Sequence, residues 1–325
     1  MTHAVILEHP GGPEVLAWRE RAVPDPGPGE VRVRHTAIGL NFIDVYHRRG
    51  LYPLPAFPAV LGQEAAGRVE SVGSGVTDLV VGDRVAYAGG PIGAYSEARV
   101  LPADRLIKLP DGIDDQRAAA MMLKGMTAEY LLRRTFRVEP GHTVLIHAAA
   151  GGVGTIACQW AKALGATVIG TVGTEEKAKI AVEHGCDHPI VTPREDFVER
   201  VKAITGGRGV PVVYDSVGRD TVMRSLDCLS PRGMMVSFGQ SSGTVPPLDV
   251  MVLSAKGSLY FTRPTLLHYT ATREELQASA AALFDVVLTG AVRIAVGQSY
   301  PLRDASRAHA DLEARRTVGS TVLLP

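Results

Sequence analysis

The chemistry legible in this chain starts at residues 147–154, which read HAAAGGVG. Small residues and three glycines stand here between the apolar run Thr143–Ala148 and a helix-forming stretch, Gly152–Leu164. A strand, a glycine turn spaced G-x-G-x-x-G and a helix form an anion site: free N–H groups and the helix dipole favour a phosphate at the helix N-terminus. Gly151 takes the second glycine place, where a side chain would block a pyrophosphate, and Gly154 the third, where helix and strand pack closely. Ala149 departs from the strict pattern at the first place. The bland alternative is a tight turn that only packs. A second strand–helix unit follows at once, and that continuation favours a nucleotide site held by Ala150, Gly151, Gly152, Val153 and Gly154.

The second strand, TVIGTV, runs into Gly173 and Thr174, and Glu175, Glu176 and Lys177 follow. An acid at this distance would bind an unmodified ribose 2′-OH. A lysine in the first turn of a helix opposes the dipole and is placed for a 2′-phosphate. A solvated surface lysine is the ordinary alternative. The reading favours NADPH, with the two glutamates pulling against it.

Several elements must position these groups. Residues 1–120 are β-rich: EVRVRHTAIGL begins with strand-like alternation, short glycine-punctuated strands follow, and prolines crowd 24–28 and 53–58. After Asp114 the rhythm changes to a helix and then to apolar strands alternating with helices, the pattern of a parallel sheet covered on both faces. The 325 residues suggest two domains. The 34 basic and 34 acidic residues balance, without the basic footprint of a nucleic-acid binder, although Arg (27) far outnumbers Lys (7). Cys158, Cys186 and Cys228 lie at no C-x-x-C spacing, which reads as a reducing compartment. The N-terminus lacks a signal-peptide pattern, and the best candidate for a membrane span, 143–173, is interrupted by His147, Gln159, Lys162 and the glycine cluster. A cytoplasmic protein without a membrane span is expected.

LGQEAAGRVESVGSGV, VGDRVAY, AAAMMLKGMTAEYLL, HAAAGGVGTIACQWAKALGATVIGTVGTEEK and VVYDSVG together resemble the medium-chain dehydrogenase/reductase superfamily. In detail they resemble its zeta-crystallin-like, zinc-free branch, the NADPH:quinone oxidoreductases, along nearly the whole chain. The resemblance implies an α/β protein with a GroES-like β-rich catalytic domain (1–122, completed by 266–325). It implies a Rossmann doubly wound parallel sheet over 123–265, and a homodimer joined through an edge strand such as GSLYFT. Zinc relatives carry a cysteine ligand where this chain has Asn41 and a histidine where it has Gln63. With no cysteine in residues 1–120, and only His35 and His47 there as ring donors beyond the N-terminal segment, no metal is expected. Without a Lewis acid, a conjugated acceptor, over which added charge delocalises, suits hydride transfer better than a simple alcohol or carbonyl does.

Carried over residue by residue, the resemblance places Asn41 and Asp44 of NFID beside the nicotinamide. It makes Tyr46 and Tyr52 proton-donor candidates, with Tyr46 equally readable as a packing ring. It puts Lys124 and Thr127 near the cofactor, and Gly173, Thr174 and Lys177 at the 2′-phosphate. Ser216, Phe238, Gly239, Gln240, Phe261 and Arg263 fall at or near strand ends, with Arg315 close to the cofactor. Thr192 departs from a tyrosine that close relatives carry near the 2′-phosphate. The implied activity is NADPH-dependent reduction of a quinone. Reduction of an alkenal or enone double bond is the enzymatic alternative, and nucleotide binding with little catalysis is the non-enzymatic one.

Overall fold

Alternation in the first residues builds two antiparallel strands, β1 (Thr2–Leu7) and β2 (Leu16–Arg21). The computed structural model describes residues 1–325. β3 (Glu30–Leu40) buries Val31, Val33, His35 and Ala37 on alternate positions, as a half-buried strand must. It leads directly into a helix, α1 (Phe42–Arg48). The strands β4 (Ala59–Val60), β5 (Glu64–Val72), β6 (Arg84–Ala88), β7 (Ala98–Pro102) and β8 (Ile107–Lys108) follow, and then helix α2 (Asp115–Tyr130).

Next come β9 (Thr143–Ile146), α3 (Gly152–Ala163), β10 (Thr167–Val172), α4 (Glu175–Glu183), β11 (His188–Val191) and α5 (Phe197–Ile204). They continue through β12 (Val210–Asp215), α6 (Val222–Ser225), β13 (Leu229–Ser237), α7 (Met251–Ala255), β14 (Tyr260–Thr262) and α8 (Leu266–Tyr269). The chain closes with α9 (Arg273–Leu288), β15 (Val296–Pro301), α10 (Ala305–Glu313) and β16 (Ser320–Leu324).

The chain divides into two units, one of residues 1–126, 270–288 and 294–325, the other of residues 127–269 and 289–293. The first holds a seven-stranded sheet in the order β15-β16-β3-β5-β6-β8, with β7 also on β3, and a small sheet β2-β1-β4. The last strand pairs antiparallel with β3, Thr321 opposite Leu40 and Leu323 opposite Ile38, so the C-terminus completes a sheet begun at residue 30. Its core gathers Val31, Val33, Leu61, Tyr95 and Leu101 with Leu302 and Leu323 from the returning segment. α2 lies against α9 so closely that a Cβ on Gly125 would stand 2.4 Å from a Leu283 methyl.

The second unit is one parallel sheet in the order β11-β10-β9-β12-β13-β14. Its strands are apolar runs such as TVLI and TVIGTV, because both faces are covered. Renumbered from β9, this is the 3-2-1-4-5-6 order of dinucleotide-binding folds, whose strand order reverses between β9 and β12. Ligands bind at that switch point, beyond the strand C-termini.

Candidate functional site

The glycine loop leaves β9 at the switch point. The His147 amide donates to Tyr214 O (3.0 Å) and the Ala149 amide to Thr171 O (3.0 Å), so the loop is tied to the neighbouring strands on both sides. The left-handed residue is Ala148 (φ 53°), one place before the departure from the glycine pattern. A Cβ on Gly154 would lie 2.3 Å from Ala148 O and 2.8 Å from Ala149 C, a collision with backbone. A Cβ on Gly151 would stand 3.1 Å from Ala148 O, and its missing side chain leaves room above the loop. Gly152, Val153 and Gly154 form the first turn of α3, whose amides have no intrahelical acceptor. The cradle therefore fits a diphosphate: bare backbone, donors directed outward and a helix dipole behind them.

At the end of β10, Gly173 has open space around its Cβ position. Thr174 caps α4, its hydroxyl accepting from the Lys177 amide (3.2 Å). Lys177 stands in the first helical turn. The neighbouring acids are engaged: Glu175 is bridged by Arg194 (2.6 Å), while hydrogen bonds from the Glu176 amide and Thr174 hold the Glu176 carboxyl below its usual range. Thr192 spends its amide and hydroxyl on Val172 O (3.0 and 3.2 Å).

The other strand ends converge in the same unit. A Cβ on Gly239 would lie 2.6 Å from Ser216 O, so the loops after β12 and β13 touch there. Arg263 donates to Ser237 O (3.0 Å) and Gly239 O (2.7 Å) and fixes that turn. Gln240 is buried, Phe238 follows Ser237 in the turn, and Phe261 packs against the core of the sheet. Thr127, near the end of α2, is buried.

The first unit holds a buried charged cluster around α1. Glu64 Oε1 accepts from Asn41 Nδ2 (2.7 Å) and Lys124 Nζ (2.6 Å), and Glu64 Oε2 accepts from the Leu123 amide (2.7 Å). Gly39 makes room for that carboxylate, since a Cβ there would lie 2.2 Å from Glu64 Oε1. Asp44 accepts from the Asn41 amide (2.9 Å) and the Tyr95 hydroxyl (3.0 Å), both on Oδ2, and Oδ1 is buried without a partner. Burial pushes the Asp44 carboxyl up to about 7 against the lowering effect of these donors. Tyr95 in turn accepts from His309 Nε2 (2.9 Å), and Arg48 donates to His309 Nδ1 (3.2 Å) and to Glu313 (2.7 Å). Burial lowers the His309 ring to about 3, so it is neutral and relays these bonds as donor and acceptor.

Tyr46 and Tyr52 meet edge to face, centroids 5.2 Å apart, and Tyr46 is buried. His47 donates from Nδ1 to Tyr52 O (3.1 Å) and accepts from Gln63 Nε2 (3.1 Å). The structure thus joins Asn41 and Lys124 through Glu64, ties Asp44 to the Asn41 backbone amide, and sets the two tyrosines beside each other. Arg315 is exposed, in a left-handed turn after α10 (φ 58°), and outside that cluster. Sequence reasoning passed over Glu64, Tyr95, His309 and Arg48. Only Glu64 left a trace, as a lone acid in the apolar run LGQEAAG.

Residues 152–285 match the zinc-binding dehydrogenase family and residues 27–111 the alcohol dehydrogenase GroES-like domain. A quinone oxidoreductase of Pseudomonas aeruginosa is 58% identical over 97% of this chain and 97% of its own. A 2-haloacrylate reductase of a Burkholderia species is 52% identical over 100% of this chain and 99% of its own. The crystal structure of Escherichia coli quinone oxidoreductase complexed with NADPH superposes with a TM-score of 0.98 and 53% identity, covering 99% of this chain and 100% of that one.

The zinc in the first family's description does not fit the donor set present. The amides of Asn41 and Gln63 are engaged with Glu64 and His47, all three cysteines lie in the second unit, and no three His, Cys, Asp or Glu are grouped to hold an ion. No helix is long and apolar enough to cross a membrane.

Proposed function

The chain belongs to the quinone oxidoreductase family of the medium-chain dehydrogenase/reductase superfamily, and from that premise we propose that it reduces quinones with NADPH. The observation that carries this reading is the likeness, at a TM-score of 0.98, to a quinone oxidoreductase solved with NADPH. The cofactor, when bound, supplies the hydride.

The chain's own residues do the rest. Amides of Ala150–Gly154 hold the pyrophosphate, and Gly173, Thr174 and Lys177 hold the 2′-phosphate. Neutralisation of Glu175 by Arg194 removes an objection to a phosphate there. Ser216, Phe238, Gly239, Gln240, Phe261, Arg263, Thr127 and Arg315 shape the remainder of the cofactor's surroundings. In the first unit, Glu64 fixes the Asn41 amide and the Lys124 ammonium, and Asp44 fixes the Asn41 backbone. Asn41, Asp44 and Lys124 orient the nicotinamide. A hydroquinone needs a proton as well as a hydride, and Tyr52 Oη is its donor, with Tyr46 holding the Tyr52 ring edge to face.

A homodimer forms through the exposed edge of β14, where Tyr260 presents its ring to solvent. The protein works in the cytoplasm, a reading supported by three buried, unpaired cysteines.

The test is consumption of NADPH on addition of a small quinone, before and after dialysis against a chelator. Retained turnover is expected. Loss on chelation with recovery on zinc overturns the metal-free reaction, and Tyr52→Phe with full kcat removes the tyrosine as donor. The 2-haloacrylate reductase relative favours a second reading, reduction of an activated carbon–carbon double bond. Turnover of a 2-haloacrylate or an enone in preference to every quinone would establish it.

A further inference from the structure

Beneath the glycine loop runs a buried polar chain that the binding of phosphates does not itself require. It begins at Thr171 on β10, whose hydroxyl lies 2.8 Å from His147 Nδ1. His147 Nε2 lies 2.9 Å from Ser225 Oγ, and the Ser225 hydroxyl donates to Asp215 Oδ2 (3.0 Å). Asp215 Oδ2 also accepts from Thr221 Oγ1 (2.7 Å), and Oδ1 accepts from the amides of Val217 (2.8 Å) and Gly218 (3.0 Å). Thr171, His147, Ser225 and Asp215 are all buried, and Ser225 and Asp215 are fully so.

The donors fall in one consistent order. Ser225 spends its proton on Asp215, so its oxygen accepts from His147 Nε2–H, and His147 Nδ1 then accepts from Thr171. That is a neutral imidazole with both nitrogens engaged, the form that burial favours here. A satisfied buried chain of this kind is rigid, and removal of Ser225 leaves His147 Nε2–H without its acceptor and Asp215 Oδ2 with one side-chain donor instead of two. It touches two different loops: its second member, His147, begins the glycine loop, and its last, Asp215, folds residues 216–218, on opposite sides of the switch point.

We propose that the Thr171–His147–Ser225–Asp215 chain positions the glycine loop and the β12–α6 loop relative to one another and so sets pyrophosphate affinity, with Ser225 and His147 as positioning residues. The inference rests on the NADPH reading above. It predicts that Ser225, which hydrogen-bonds to neither loop's backbone through its side chain, controls both loops. It also predicts selectivity: ligands that carry the pyrophosphate suffer, and adenosine 2′-phosphate, which lacks it, does not.

The experiment compares the parent with Ser225→Ala and Ser225→Thr, and with Thr171→Val as a near-isosteric break at the other end should the alanine variant not fold. Hydrogen exchange of the free protein is read at the amides of Ala149, Gly151, Val217 and Gly218. Dissociation constants are read for NADPH, NADH and adenosine 2′-phosphate by titration. In Ser225→Ala or Thr171→Val, exchange should rise about tenfold in both loops together. NADPH and NADH should each bind about tenfold more weakly, with adenosine 2′-phosphate unchanged and Ser225→Thr restoring parental values. Faster exchange in only one loop, or equal weakening of all three ligands, overturns the coupling. A parent that binds no NADPH overturns the cofactor reading instead, and the exchange result still decides the coupling.

Discussion

The two units bury polar groups for opposite purposes. In the first unit the buried cluster is built on two ion pairs, Glu64 with Lys124 and Arg48 with Glu313, with the neutral His309 ring and the Asp44 carboxyl between them. The groups it sets in place are side chains, held by ion pairs between residues far apart in the sequence. In the second unit the chain Thr171–His147–Ser225–Asp215 carries one carboxylate and otherwise neutral groups, and it holds backbone in place. A phosphate is met by main-chain amides, so that unit needs glycines and a rigid loop more than charged side chains. The lesson is that a reactive acceptor and an anionic cofactor demand different kinds of preorganisation.

The comparison breaks most severely at Glu64. Glu64→Ala leaves the Lys124 ammonium buried and unpaired, which costs about 3–5 kcal/mol of stability. Thermal unfolding should show the loss, and Lys124→Met combined with it should recover the part due to the bare ammonium, while the Asn41 amide and the Leu123 N–H still lack their acceptor. Recovery would mean that the pair itself, and not the space Glu64 fills, holds the first unit.

Asp44→Asn probes the same cluster through pH. The unfolded carboxyl ionises near 3.8, whereas the native one stays protonated to about 7. Between those values the unfolded chain alone gives up its proton, so native stability falls as pH rises and levels off above about 7. The asparagine variant should lack that fall, a difference of ~4 kcal/mol between pH 4 and 8 in denaturant titrations. Identical slopes for parent and variant would contradict the burial of a protonated acid.

A smaller effect is expected from Gly154→Ala. The new methyl must displace the Ala148 carbonyl, at a strain of about 1–3 kcal/mol, and NADPH and NADH should weaken equally in a fluorescence titration. Unequal weakening would mean that the loop senses more than the pyrophosphate. Lys177→Ala sharpens the contrast with the least disturbance. It removes one charge–phosphate contact, worth about 1.5–3 kcal/mol, so NADPH should weaken about tenfold or more while NADH is unchanged. Equal loss for both would take the 2′-phosphate away from Lys177.

What the sequence by itself determined was local. Alternation in residues 30–37 marked β3, apolar runs marked β9, β10 and β12, and the spacing of Gly151 and Gly154 marked a strand–turn–helix. Each of these signals is written within a few residues, where backbone conformation and side-chain period decide the outcome. The place of Lys177 in the first turn of α4, three residues past the capping Thr174, was legible for the same reason.

Only the tertiary structure decided which groups those elements would confront. Asn41 meets Glu64 across 23 residues, Lys124 meets Glu64 across 60, and Tyr95 meets His309 across 214. His147 stood in the sequence as an interruption of an apolar run, and nothing nearby foretold Ser225, 78 residues on. A buried polar group needs a partner, but strand order, not sequence distance, fixes which partner it receives. The strand order 3-2-1-4-5-6 sets β9 between β10 and β12, and that crossing alone brings Thr171 and Asp215 to either side of His147.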